Sequence, residues 1–376
     1  MKNVDIIHVS YHDRAVGRLA LTKNHRIAFC YEDSWIQNGF SISPFSLPLR
    51  KEVFIAAKPY FQGLFGVFAD SLPDAWGQLL VDRLWRKQGV DPGTVSALDR
   101  LAAVGSTGMG ALTYEPELKF GTGTDYESLD MIAEECAKLL KTHNSEKLEL
   151  LRRLGGSSGG TRPKVTIASE GTQWLVKFPA RMDPAEIGVM EYEYSKCAEK
   201  CGIEVPPVKL FPSDSCGGYF GIRRFDTCDG VRKHMLTAAA MLELDYRAPC
   251  LDYTELFKLS KIVSRNHKGE LKELYRRMCF NVFAHNRDDH AKNFTWLYDE
   301  QADTFFLSPA YDLTYSTTYF GEHTTSVGGN GKNPGKAELV KVGTLSGLSR
   351  KFCEETAGSI AGIVSDCLGH RLKRDR

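Results

Sequence analysis

The stretch HNRDDHAKN, residues 285–293, sets two adjacent aspartates, two histidines, a lysine and two asparagines behind the apolar-rich segment LYRRMCFNVFA. The upstream segment reads as a buried helix, which makes the nine residues the loop that leaves it. A solvated loop is the plain reading. The spacing argues for more, because Asp288 and Asn293 stand five apart. A carboxylate at the first position can accept or orient the proton of a hydroxyl, and an amide oxygen at the second can hold Mg2+. Asp289 is a rival base, but it stands only four from Asn293.

Further features follow from working outward. Asp312, in LSPAYDLTYS, comes nineteen residues after Asn293 and follows the strand-like TFFL. A second carboxylate there suits the same cation, and the plain alternative is a helix-capping aspartate. Upstream, GGSSGGTRPK (155–164) sets small residues between two segments read as β-prone, and these let a backbone approach phosphates closely. No Gly-Lys-Ser/Thr closes it, so it is not a Walker loop, and by itself it reads as a turn or linker. Lys164, on its strand side, is the useful charge. Lys177 has Leu175, Val176 and Phe178 for neighbours on what reads as an inner strand. Burying it is costly without an anion, whereas an edge strand would let it snorkel. The helix after it carries Glu191 and Glu193, and their spacing does not separate them. YFGIRRFD ends an apolar strand in a short polar segment, either a connector or a place where adenine pairs with backbone groups.

Gly-rich loop, strand lysine, helix glutamate, in that order, is the small-lobe layout of protein kinases. Arg287, Asp288 and Asn293 match the kinase pattern His-Arg-Asp-x-x-x-x-Asn, with His290 where many kinases carry a phosphate-facing lysine. Asp312 takes the place of the Asp-Phe-Gly aspartate, although Leu313 and Thr314 follow it. Each feature is weak alone, and together they keep one order.

Length and composition set the frame. The chain has 376 residues, too many for one ordinary core, with 42% hydrophobic and 25% charged residues, as in globular proteins. Its formal net charge of +1 gives no overall field favouring nucleic acid or an anionic membrane. No apolar h-region opens the chain and no apolar run nears the roughly 20 residues of a membrane span, so a cytoplasmic protein without membrane attachment is expected. Ten cysteines show no Cys-x-x-Cys and read as reduced thiols.

The segments VDIIHVSY, AVGRLALT, HRIAFCYE and FQGLFGVFA read as β-like runs of an amino-terminal unit. DSLPDAWGQLLVDRLWRKQG reads as a helix capped by Asp70 or Ser71, with Pro73 in its first turn and Gly89 as its stop. TVSALDRLAAVG, LDMIAEECAKLLKT and SEKLELLRRL follow as helices, and patterns after about 235 are mostly helical. The expected fold class is α+β and protein-kinase-like, in two lobes: a β-rich N-terminal module and strand-rich small lobe, then a mostly helical C-terminal lobe. The expected boundaries are 1–118 for the module, 119–228 for linker helices and small-lobe elements, and 229–376 for the helical lobe.

Asp288-Asp289-His290-Ala291-Lys292-Asn293 and Pro309-Ala310-Tyr311-Asp312 resemble the catalytic and metal loops of the HipA-like serine/threonine kinases, toxins of type II toxin–antitoxin pairs. FADSLPDAWGQLLVDRL and GSTGMGALTYEP resemble that family's amino-terminal module, so the resemblance spans nearly the whole chain. It implies Asp288 as catalytic base and Asn293 and Asp312 as Mg2+ ligands. It implies that Lys177 binds ATP and that Glu191, at the family's distance before GIEVP, is preferred to Glu193. Ser157, Ser158, Gly159, Gly160 and Lys164 would line the phosphates, Arg223 and Phe225 would offer backbone groups to adenine, and His290 and Tyr311 would lie near the nucleotide. It implies autophosphorylation at Ser157, or Ser158 beside it, although this loop is richer in glycine than the best-known members. The implied partners are a HipB-like helix-turn-helix antitoxin, DNA through that antitoxin, and a translation component such as an aminoacyl-tRNA synthetase as substrate. A small-molecule kinase on a related scaffold and a catalytically inactive kinase-like regulator are the alternatives.

Overall fold

Alternation of apolar and polar residues builds the first sheet. β1 (Ile6–Tyr11), β2 (Arg14–Leu21) and β3 (Ile27–Tyr31) bury Ile7, Val9, Val16, Leu19, Ile27 and Phe29 on one face. With β4 (Phe54–Ile55) and β5 (Leu112–Glu115) they form five strands in the order β4-β3-β2-β1-β5. The computed structural model describes residues 4–120, 126–155, 160–228, 230–265, 267–318 and 320–372. The chain divides into two compact units. The first comprises Met1–Gly188, Leu210–Leu236 and Ala240–Glu243, and the second comprises Val189–Lys209, Thr237–Ala239 and Leu244–Arg376.

α1 (Asp33–Asn38) follows β3 in the first unit. FQGLFGVFA, expected as a β-like run, is instead a single 3-10 turn at Phe61–Gly63 and α2 (Gly66–Ala69). A continuous apolar run does not distinguish a strand from a wholly buried helical turn, and Gly66, Val67, Phe68 and Ala69 are all buried. The positive φ of Gln62 (55°) and Gly63 (78°) interrupts any extended path. α3 (Ala75–Lys87) starts later than its expected caps allowed, since Asp74 occupies the N-cap and Pro73 lies before it. Gly89, at φ +76°, ends the helix as expected. α4 (Ala97–Val104) carries a capping box between Ser96 and Asp99.

α5 (Leu129–Thr142) and α6 (Leu148–Gly155) precede the second sheet. There β7 (Thr172–Lys177) lies between β6 (Lys164–Ser169) and β9 (Tyr219–Arg223), antiparallel to both. One core joins Trp76, Leu80 and Leu84 of α3 to Ile132, Cys136 and Leu139 of α5, Leu148 and Leu151 of α6, and Val165, Val176 and Phe178. Removing Trp76 from it would cost about 3–5 kcal/mol by its size class. β8 (Val208–Phe211), the hairpin β10 (Thr227–Cys228) and β11 (Val231–Arg232), β12 (Met235–Thr237) and α8 (Ala238–Met241) complete the stretch up to 241.

The second unit takes α7 (Ile187–Lys200) from Val189 onward. Its longer helices are α9 (Tyr253–Val263), α10 (His267–Phe283), α11 (Lys336–Leu345) and α12 (Arg350–Leu372). Four short strands are set among them. β13 (Leu251–Asp252) pairs in parallel with β16 (Thr325–Ser326), and β14 (Thr295–Asp299) pairs antiparallel with β15 (Thr304–Leu307). Their local sequences are too short to outvote the helical pattern around them, and they hold the loops described below. All ten cysteines are free thiols. Among the described residues, no helix is long and apolar enough to cross a membrane.

Candidate active site

In the first unit, antiparallel pairing sets Lys164 of β6 opposite Lys177 of β7, and Lys177 opposite Phe220 of β9. Directly opposed residues share a face, so two lysines and a phenyl ring form one row across three strands. Both lysines are buried, at 3% and 7% exposure. The Lys177 ammonium lies 5.5 Å from the Phe220 ring centroid. The pairing gathers two buried positive charges on one face of the sheet.

Gly160 ends the Gly-rich loop against this row. Its φ is +90°, and a Cβ built on it would lie 2.4 Å from Lys164 Nζ. Only glycine meets both conditions without strain. Gly155 is packed as tightly at the other end, where a Cβ would stand 2.2 Å from the Lys164 carbonyl oxygen. Ser157, Ser158 and Gly159, assigned to the same loop from the sequence, lie outside the described residues.

The N-terminus of α3 holds the loop's exit. Gly160 N donates to Asp74 Oδ2 at 2.9 Å, Trp76 N donates to Gly160 O at 3.3 Å, and Trp76 Nε1 donates to Lys164 O at 3.1 Å. Asp74 is therefore an N-cap whose side chain serves another segment instead of its own helix. Sequence reading took DSLPDAW as a capping signal only and missed this role. The Pro-Asp-Ala-Trp run was visible, but its partner is 86 residues away.

At the end of β9, Arg223 is exposed and Phe225 half-buried. The intervening Arg224 forms a bidentate pair with Asp226, Nε at 3.0 Å and Nη2 at 2.7 Å. Burial alone would push the Asp226 carboxyl up, and the Arg224 guanidinium reverses this and holds it below the ordinary carboxylate range.

In the second unit the structure separates the two glutamates of α7. Glu193 is bound by Arg371 of α12, with Nε at 2.9 Å and Nη2 at 3.2 Å, and the Arg371 hydrogen bond lowers its pKa against the opposing effect of burial. Glu191 is 2% exposed. The residue preferred from the sequence is the buried one, and its rival is a strut between helices.

The HNRDDHAKN loop begins with a helix stop. His285 adopts φ +53°, His285 N donates to Val282 O at 3.4 Å, and Asn286 N donates to Asn281 O at 2.9 Å. This 5→2 and 6→1 pair is a Schellman ending of α10 with histidine in the left-handed position. The two aspartates that follow then part. Asp289 is 1% exposed and its carboxylate takes three donors. These are Tyr253 OH at 3.0 Å, His323 Nδ1 at 3.1 Å and Thr325 N at 3.1 Å. Thr325 Oγ1 also donates to the Asp289 carbonyl. The network continues through Asn281 Nδ2 to Tyr253 OH at 2.9 Å and Asn286 Nδ2 to Asn281 Oδ1 at 2.9 Å. Burial first, then the Asp289 charge, push the Tyr253 phenol well above its ordinary range, which keeps it a donor. Asp288 is exposed.

Asn293 closes the loop on Asp288. Its Nδ2 donates to the Asp288 carbonyl at 2.7 Å. The amide thus spends its donor end on the loop, and Oδ1 is its acceptor end. His290 stacks edge-on against Tyr246 at 5.5 Å, and its buried Nδ1 has no hydrogen-bond partner among the described residues. The Lys292 ammonium lies 4.6 Å from the Tyr246 ring centroid. Tyr311 OH donates to Lys292 O at 2.6 Å and shares a 2.5 Å hydrogen bond with Thr295 Oγ1, tying the segment before Asp312 to the loop. Asp312 sits at φ +52°, a left-handed backbone uncommon outside glycine and found where function holds strain. Downstream, Ser316 N donates to His285 O at 3.1 Å, and Thr324 N and Oγ1 both reach Arg287 O at 3.0 Å.

Sequence reasoning missed Tyr253, His323 and Thr325. Nothing local marks them, since they lie 36 and 34 residues from Asp289 on either side. Tyr246 was likewise invisible.

The family described as the HipA-like C-terminal domain matches residues 156–367, and the HipA N-terminal domain matches residues 7–115. Two relatives from Sinorhizobium fredii (strain NBRC 101917 / NGR234) carry the names "Putative kinase Y4dM" and "Putative kinase Y4mE". The first is 25% identical over 95% of this chain and 90% of its own, the second 26% identical over 84% and 78%. A solved chain of the Shewanella oneidensis MR-1 toxin–antitoxin complex of HipA, HipB and operator DNA matches with a TM-score of 0.72. It is 18% identical, and the match covers 97% of this chain and 90% of that one, a likeness of fold.

Proposed function

This chain belongs to the HipA-like family, and we propose that it is an ATP-dependent serine/threonine protein kinase acting as the toxin of a HipB-like toxin–antitoxin pair. The observation that carries the reading is the parting of two adjacent carboxylates. Asp289 is buried and fully engaged, Asp288 is exposed on the same loop, and Asn293 is anchored on the Asp288 carbonyl.

Asp288 accepts or orients the proton of the acceptor hydroxyl, and its placement is inherited from the Asp289 network. Lys177 and Lys164 draw the nucleotide phosphates to the cationic row, with Gly160 leaving room for close backbone approach. Ser157, Ser158 and Gly159 belong to the same phosphate-facing loop in this reading. Arg223 and Phe225 offer main-chain groups to adenine, and Glu191 is the glutamate assigned to ATP binding. His290 and Tyr311 border the phosphates. Asn293 Oδ1 and the Asp312 carboxylate are hard oxygen donors and suit Mg2+, which keeps few protein ligands and completes its shell with phosphate and water. Bound Mg2+ would offset charge on the transferred phosphoryl group. Autophosphorylation at Ser157, or at Ser158, a HipB-like helix-turn-helix partner that brings the chain to DNA, and a translation component such as an aminoacyl-tRNA synthetase as substrate complete the reading. So do the expected boundaries at 118 and 228 and a cytoplasmic location.

The test compares wild type with Asp288→Ala for phosphate incorporation from ATP and Mg2+, with mass spectrometry of residues 155–164. Wild type should incorporate phosphate into that loop, and the variant should lose about 10²–10⁴-fold of the rate. Equal incorporation by both proteins would remove Asp288 from the chemistry.

A further inference from the structure

The end of β9 is not free to choose its own path. Asp226 is 0% exposed, and its carboxylate accepts from Gly110 N at 2.9 Å as well as from Arg224. The Asp226 carbonyl accepts from Lys233 N at 2.8 Å. Across the hairpin, Arg232 Nη1 donates to Ser106 O at 2.7 Å, and Nη2 donates to Gly108 O. The loop Ser106–Gly110 of the amino-terminal module thus holds both the residue after Phe225 and the strand that returns beside it. The loop is itself tightly determined. Gly110 has φ +72°, and a Cβ on it would meet Met235 Cγ at 2.9 Å.

A backbone that reads a base by hydrogen bonds must be held to within a few tenths of an ångström, and here the holding groups come from another part of the unit. We propose that Asp226 is the positioning residue of the adenine-reading backbone, so that the loop Ser106–Gly110 sets the preference for adenine. This rests on the assignment of Arg223 and Phe225 to adenine made above. The row at Lys164 and Lys177 lies on the other side of that assignment. It is paired with Phe220, six residues before Asp226 on the same strand path, which makes the two halves of nucleotide recognition separable by mutation.

The experiment titrates the full-length chain calorimetrically with ATP, GTP and sodium tripolyphosphate, as wild type, Asp226→Asn and Arg232→Gln. Asp226→Asn removes the charge that balances Arg224. Arg232→Gln removes the donors to Ser106 and Gly108 and one charge that acts on Asp226, and it leaves the hydrogen bonds between Arg224 and Asp226 in place. Each variant should bind ATP about tenfold more weakly, the loss of one charge-assisted hydrogen bond, with tripolyphosphate affinity unchanged and the ATP-over-GTP preference reduced. Wild-type ATP affinity in both variants overturns the proposal, and so does a parallel loss for tripolyphosphate, which would mark a general structural role. Should Asp226→Asn melt below the assay temperature, the Arg232→Gln result decides alone. A wild type that binds ATP no better than tripolyphosphate would instead remove the adenine assignment beneath the proposal.

Discussion

Replacing Asp288 by Asn and Asp289 by Ala, one residue apart, should produce opposite phenotypes. Asp289→Ala leaves Tyr253 OH, the His323 ring N–H and Thr325 N–H without their acceptor in a site that is 1% exposed. Each stranded buried donor costs about 1–3 kcal/mol, and partial relaxation among three neighbours brings the sum to roughly 3–5 kcal/mol. At about 2–4 °C per kcal/mol for a unit of this size, the melting transition should fall by roughly 6–20 °C. Asp288 is exposed, so Asp288→Asn should stay within about 0.5 kcal/mol of wild type. Its phosphate transfer should nevertheless fall by about 10²–10⁴-fold, as expected for loss of a general base. The assay pairs scanning calorimetry with transfer of labelled phosphate from ATP at matched folded concentration. Equal destabilisation by the two substitutions, or full transfer by Asp288→Asn, would refute the division of labour drawn here.

Further expectations concern single residues of the first unit. His234 is buried with Nε2 2.8 Å from the Ile42 carbonyl oxygen, and burial pulls its pKa from 6.5 to about 4. Because the folded value is depressed, its contribution to stability is fully present above pH 6.5. It should decline by about 1.4 kcal/mol per unit as pH falls toward 4, so urea titrations at pH 7 and pH 5 should differ less in His234→Gln. Gly160→Ala forces a side chain into φ +90° and against Lys164 Nζ, and should cost about 1–2 kcal/mol by urea unfolding while weakening ATP binding in calorimetry. Lys177→Met should weaken ATP binding at least about tenfold in the same titration, and an unchanged affinity would take the cationic row out of nucleotide binding.

Much of the molecule was legible as local pattern. The alternation in β1 to β3, the apolar face of α5 and the run before HNRDDHAKN each report the period of one element, and period is written in consecutive residues. The five-residue step from Asp288 to Asn293 is also local, and the Asn293 hydrogen bond to the Asp288 carbonyl shows the loop closing over that distance. FQGLFGVFA was misread because its apolar part, Leu64–Ala69, carries no period and is buried throughout, while the positive φ of Gln62 and Gly63 breaks the extended path before it. The choice between Asp288 and Asp289 rested on counting and on the resemblance of the loop to the family's catalytic loop.

What the chain's own order determined, then, is which residue types stand at which step along a loop, a strand or a helix face. What folding decided is which surroundings each of two equivalent neighbours receives. Glu191 and Glu193, and Asp288 and Asp289, are pairs of one residue type in nearly one place. They are told apart by Arg371, Tyr253, His323 and Thr325, which approach from distant segments. The same holds for Asp74 and Asp226, whose partners Gly160 and Gly110 lie 86 and 116 residues away. A buried carboxylate must be matched by donors, and those donors come from wherever the packed chain brings them, so no window of sequence contains the answer.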